Sequence, residues 1–175
     1  VDVVVRAAAR TLARVPAQLL VVGDGTRRRA LMQLSRELGI ADRCRFPGFV
    51  DNNADLPGVC RLASVFATAC EIETQGIVLL EAAASGLPAV VARAGALPEL
   101  VSEGGNGYLV PPGDDAAMSD RLVSVLENPA LAQAMGRAGR EAAMWHSFRS
   151  TLEAHERVYG EMAAARVPAW ESVPV

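Results

Sequence analysis

Short aliphatic runs that end in a glycine or polar turn, each followed by residues at helical spacing, most limit what this chain can become. QLLVVGDG begins the series and closes its aliphatic residues with Gly23 and Gly25. Further runs follow at Arg43 to Phe46, Ser64 to Thr68, Leu87 to Ala92 and Gly107 to Val110. Between and around them the spacing predicts helices over Asp2 to Val15, Thr26 to Leu38, Leu56 to Arg61, Gly76 to Ser85 and Leu97 to Ser102. A helix N-capped by Asp114 runs to Glu127, and two more cover Pro129 to Met144 and Ser147 to Ala164. Such alternation predicts an α/β fold: one Rossmann-like parallel sheet with helices on both faces and its functional edge at the strands' carboxyl ends.

Composition narrows the function classes. With 51% hydrophobic and 21% charged residues the chain is globular rather than disordered. A net charge of -3 without a long basic block argues against a nucleic-acid surface, and Arg27 to Arg29 read as a solvated first turn of helix. Cys44, Cys60 and Cys70 form no CxxC pair, and His146 and His155 are the only histidines. Neither a zinc site nor a disulfide framework is expected, and reduced thiols point to a cytoplasmic setting. The opening VDVVVRAAARTLARV is already helical, so the chain reads as part of something longer.

ETQGIVLLEAAASGLP, from Glu73 to Pro88, carries the chemistry. Two carboxylates stand in a run otherwise fit for burial, where an unpaired charge is costly. Glu73 falls in the loop after a strand, at the functional edge. Gly76 falls in the first turn of the next helix, where the amides of Gly76, Ile77 and Val78 lack partners within the helix. With the helix dipole they form an anion site, which Gly76, having no β-carbon, would let a phosphate approach. Glu81, four residues beyond Ile77, lies one turn deeper on the same face. A diol at Glu81, a diphosphate at the amides and further hydroxyls at Glu73 describe a nucleotide sugar.

These residues resemble the retaining glycosyltransferases of family 4 (group 1). Glu73 and Glu81 have its E-x7-E spacing, and ETQGIVLLEAAASGLPAVVARAGALPELV, then NGYLVPPGD, is similar to the donor-binding half of its two-domain GT-B fold. Upstream, VVGDG, FPGFV and ADLP fit as well, and the likeness extends to about Tyr159. The resemblance implies that Glu73 contacts the transferred sugar, helped by the amides of Thr74, Gln75 and Gly76. Ile77 and Val78 then offer amides to the diphosphate, and Glu81 holds the ribose. Phe49 and Val50 lie against the base, while Gly23 and Gly95 line the cleft because side chains there would block it. The implied reaction moves a sugar from a UDP- or GDP-linked donor to an acceptor with retention, without metal or other cofactor.

The likeness also implies absences. The family's arginine and lysine that neutralise the phosphates, and its N-terminal acceptor domain, are expected to lie before Val1. That missing half is the expected partner, and any peripheral membrane contact is expected through it. Residues 1–164 are read as the nucleotide-sugar-binding domain, and 165–175 as a tail. Alternatives stay open: an epimerase-like or glycogen-synthase-like enzyme on the same fold, or a non-catalytic module. On residue pattern alone Glu81 could instead pair with an arginine of a neighbouring helix. VVGDG lacks the continuation of a dinucleotide fingerprint.

Overall fold

The computed structural model describes residues 1–51 and 55–165. Asn52, Asn53 and Ala54 of the predicted FPGFVDNNADLPG loop, and nearly all of the predicted tail, lie outside the described residues. Contacts divide the chain into two compact units, Val1–Ala143 and Met144–Val175.

In the first unit the elements alternate as the spacing predicts. They are α1 (Asp2–Leu12), β1 (Leu19–Val22), α2 (Arg28–Glu37), β2 (Cys44–Gly48), α3 (Leu56–Leu62), β3 (Phe66–Thr68) and α4 (Ile77–Ala84). Then come β4 (Ala89–Ala92), α5 (Leu97–Leu100), β5 (Gly107–Val110), α6 (Asp115–Leu126) and α7 (Pro129–Met144). Asp114 caps α6 as predicted, its Oδ1 accepting from the Ala117 N–H at 2.8 Å.

All the strand pairs are parallel, yet the strands fall into two sheets rather than the single one predicted. β1 pairs with β2, starting at Leu19 opposite Cys44. β4 lies between β3 and β5, with Ala67 opposite Val90 and Val91 opposite Leu109. The facing edges of β1 and β3 are not bonded to each other. Hydrophobic packing nonetheless joins the halves: Leu19 of β1 and Ala67 of β3 pack on the same cluster of Val4, Val90, Val110, Met118 and Met135.

Period-two alternation along β4 distributes its side chains to two cores. Val90 faces the α1, α6 and α7 side, while Ala89 and Val91 pack with Leu79, Leu97, Val101 and Leu109 on the α4 and α5 side. α1 spans both sheets, turning Val4 and Ala7 to the first cluster and Val5, Ala8 and Leu12 toward Leu31 and Cys44. Close helix approach depends on Gly136 of α7, where a β-carbon would overlap the Gly86 carbonyl.

Ser147 caps α8 (Phe148–Ala164), accepting from the Ser150 N–H at 3.2 Å. Phe148, Leu152, Tyr159 and Met162 recur at helical spacing and are exposed.

Met118 is fully buried, so Met118→Ala should cost about 2–5 kcal/mol in urea unfolding. Asp120, which pairs with Arg14 in solvent, should cost less than about 1 kcal/mol as Asp120→Ala. The reverse ranking would put the stabilising core elsewhere.

Candidate functional site

Because β3 and β4 run parallel, with Thr68 opposite Val91, the loops that follow them emerge at one edge. After β3 the chain passes through Cys70 and Glu73 to Gly76, the N-cap of α4. After β4 it turns through Gly95 into α5.

Glu73 sits in a nest of its own making. Its Oε1 accepts hydrogen bonds from the N–H groups of Thr74 (3.1 Å), Gln75 (3.2 Å) and Gly76 (2.9 Å). The N–H of Gly76 most of all, then that of Gln75 and to a smaller extent that of Thr74, holds the carboxyl below its ordinary range, against an opposing effect of burial. Its Oε2 makes no hydrogen bond to the described residues, so one oxygen is held and the other is left free. The sequence reading gave the amides of residues 74–76 to a ligand; in the fold all three are engaged by Glu73.

Gly76 has φ +70°, a left-handed conformation that opens the helix and that L side chains adopt at a cost. An added β-carbon would point inward and overlap Leu100 Cδ1 of α5, the yielding end of a flexible side chain. Backbone conformation by itself therefore favours glycine at this position. Immediately beyond it, the amides of Ile77 and Val78 begin α4 with no carbonyl inside the helix to bond, and both side chains are exposed.

Glu81 lies in the middle of α4 and is half-buried. It lines a cleft of about 360 Å3 together with Leu56, Cys60 and Arg61 of α3, and Ser85 and Arg140. Although two arginines share that wall, Glu81 forms no ion pair or hydrogen bond with a described residue. The alternative of a neighbouring-helix arginine as its partner finds no such pair.

Gly95, predicted to line the cleft, stands against the backbone of Glu73. It is exposed with φ +54°, and a β-carbon on it would overlap the Glu73 carbonyl oxygen. Gly23, by contrast, meets nothing within 4 Å; its φ of +112° and its N–H bond to the Gly48 carbonyl (2.8 Å) join the carboxyl ends of β1 and β2. Just past β2, Phe49 is exposed and Val50 half-buried. The expected residues thus gather at strand carboxyl ends, in two groups: Gly23, Phe49 and Val50 beyond β1 and β2, and Glu73 to Val78 with Gly95 beyond β3 and β4.

Two supporting residues escaped the sequence reading. Arg28, taken as solvated, is half-buried and donates from Nη2 to the Phe46 carbonyl at 2.6 Å, tying α2 to the end of β2. Its Nε is buried without a partner. A run of three arginines gives no signal of which one turns inward. Asn106 accepts from the Ser102 N–H (2.8 Å) and donates to the Leu100 carbonyl (2.9 Å), pinning the end of α5. Among the described residues no three His, Cys, Asp or Glu side chains gather to hold a metal ion, and no helix is long and apolar enough to cross a membrane.

The arrangement can hold an anion at the exposed amides of α4, a diol at Glu81 and a hydroxyl at the free oxygen of Glu73. The family model described as "Glycosyl transferases group 1" matches residues 1–142. N-acetyl-alpha-D-glucosaminyl L-malate synthase of Bacillus anthracis is 37% identical over 158 residues, covering 89% of this chain and 40% of that protein. Sucrose-phosphate synthase of Thermosynechococcus elongatus superposes with a TM-score of 0.78 at 28% identity, over 93% of this chain and 43% of the other. HepE of Anabaena, solved in complex with UDP-glucose, superposes with a TM-score of 0.76 at 25% identity, over 93% and 44%. The chain therefore spans about two-fifths of the length of the proteins it matches.

Glu73 should be separable from its cap. Amide exchange at Thr74, Gln75 and Gly76 should quicken in Glu73→Ala and stay close to wild type in Glu73→Gln, whose amide oxygen still accepts. Since the folded pKa lies below the ordinary glutamate value of about 4.3, protection of the wild-type loop should be complete above that value and lost as pH falls through the lower one. Equal exchange in wild type and Glu73→Ala would remove the cap.

Proposed function

This chain belongs to the group 1 glycosyl transferases, and from that premise we propose that it is the donor-binding half of a retaining hexosyltransferase that takes its sugar from a UDP- or GDP-linked donor. The observation that carries the reading is a pair of groups on α4: the first-turn amides of Ile77 and Val78, residues that are exposed at a helix start with no side-chain cap, and the carboxylate of Glu81, which lines its cleft without a described partner.

In this proposal the diphosphate lies on the Ile77 and Val78 amides, where the helix dipole favours negative charge. Glu81 accepts from the ribose diol, each charge-assisted bond contributing on the order of 1.5–3 kcal/mol. Phe49 and Val50 lie along the base, and Gly23 leaves the adjoining wall open. The free oxygen of Glu73 accepts from a hydroxyl of the sugar. Held ionised by three N–H groups, Glu73 is a weak base and a poor nucleophile, so its part is to orient the sugar and to stabilise positive charge developing at the anomeric carbon.

The proposed transfer is a same-face substitution. The bond from the anomeric carbon to the phosphate oxygen breaks as the acceptor oxygen bonds to that carbon, and the acceptor's proton passes to the departing diphosphate. No metal enters this scheme. The acceptor site, and basic side chains to neutralise the diphosphate, belong to the rest of the enzyme, toward which we assign the apolar stripe of α8. We place the enzyme in the cytoplasm, with any contact to a membrane surface made by that other half. HepE, solved with UDP-glucose, gives the reading a precedent in a similar fold.

Titration calorimetry of this chain with UDP, GDP and their sugars tests the assignment. One of the nucleotides should bind with a Kd weaker than about 1 μM, equivalent to less than about 8 kcal/mol, because the basic groups are supplied elsewhere. Glu81→Ala should weaken it by at least about tenfold, or 1.4 kcal/mol. Unchanged affinity in that variant would remove Glu81 from the site.

A further inference from the structure

We propose that the Gly95–Ala96 turn is a positioning element for Glu73, and that through it the chain distinguishes a sugar-bearing donor from the bare nucleoside diphosphate. The inference rests on the donor-site reading above and adds to it the residues that aim the sugar-facing carboxylate.

The loop of residues 69–75 is poorly tethered. Among the described residues it makes one backbone-to-backbone hydrogen bond to another segment, from the Ala96 N–H to the Glu73 carbonyl at 2.9 Å. Glu73 is thereby gripped at both ends, its carboxylate by the three amides that follow it and its carbonyl by the turn after β4. The grip requires very close approach. A β-carbon at Gly95 would overlap the Glu73 carbonyl oxygen and lie 3.0 Å from its nitrogen and 3.1 Å from its carbonyl carbon. Those are main-chain atoms, so relief requires the two backbones to move apart, and the sparsely tethered Glu73 loop is the side expected to yield.

The same segment supports the far end of the nest. Leu97 and Leu100 of α5 pack beneath Gly76; Leu97 is 1% exposed, and Asn106 holds the Leu100 carbonyl at 2.9 Å. One well-seated turn thus sets both the carbonyl of Glu73 and the cap of α4. Displacing Glu73 redirects its free oxygen, whereas Glu81 and the amides of Ile77 and Val78 are carried by α4 rather than by the loop and should keep their places. The sugar's contribution to binding should then depend on residue 95, and the nucleotide's should not.

The test titrates the 175-residue chain with UDP, GDP, UDP-glucose and GDP-mannose. In wild type a sugar donor should bind about tenfold more tightly than its own nucleotide, a 1.4 kcal/mol increment. Gly95→Ala should abolish that ratio while changing the affinity of the bare nucleotide by less than about twofold, within the usual error of additivity. Glu73→Ala should abolish it to the same extent, and the double variant should be no worse than either single one. Should Gly95→Ala fold poorly, Ala96→Pro replaces the N–H that reaches Glu73 with a ring carbon that pushes on the same carbonyl, at a φ of -78° that proline accepts, and it should produce the same loss. Equal weakening of nucleotide and sugar donor by these variants, multiplying effects in the double variant, or a wild type without any sugar increment would each overturn the positioning role and leave the nucleotide site standing. Failure of every nucleotide to bind would overturn the donor-site reading and this proposal with it.

Discussion

β4 is the element on which the remainder depends. It is hydrogen-bonded to a parallel neighbour on each edge, and from Ala89 to Ala92 no residue is more than 3% exposed. A strand buried on both faces has no polar alternatives, so its register and direction are set by packing on two sides at once. That certainty passes upward to its carboxyl end. The turn at Gly95 is delivered to one place beside the end of β3, and there it meets the backbone of Glu73. A loop with almost no tethers of its own is located by the strand next to it.

The two carboxylates of the E-x7-E spacing show how environment separates residues of the same type. Glu73 lies within reach of three main-chain N–H groups and is satisfied on one oxygen without any ligand. Glu81, seated past the first turn of α4 where the neighbouring amides are bonded within the helix, has no such donors and lines a cleft without a described partner. The first is a fixed acceptor whose geometry is already set; the second is an acceptor awaiting a donor. Binding that uses pre-set groups loses little entropy on association.

The order of elements was legible from residue pattern because it rests on local physics. Period-two and helical spacings, the Asp114 and Ser147 caps and the glycines closing strands all act within a few residues of one another. The neighbourhood of Glu73, Gly76 and Glu81 was legible for the same reason, since strand, loop and helix are consecutive in the chain. Less legible was why particular glycines are needed. Gly76 answers to its own left-handed φ, and Gly95 to the carbonyl of a residue twenty-two positions earlier. Likewise, nothing within RRR separates Arg28 from its neighbours, because the Phe46 carbonyl that selects it comes from another strand.

By itself, then, the sequence determined which segments become strands and helices and that two acidic residues flank a helix start, since those outcomes follow from side-chain periodicity and short-range hydrogen bonding. Only the tertiary structure decided that the strands divide into two parallel groups, that Glu73 binds its own following amides while Glu81 stays free, and that Gly95 presses on the Glu73 backbone. Each of those depends on atoms distant in the chain, or on the detailed path of a loop, arriving within contact distance. No spacing rule encodes that, because it is the packing around β4 that brings them there.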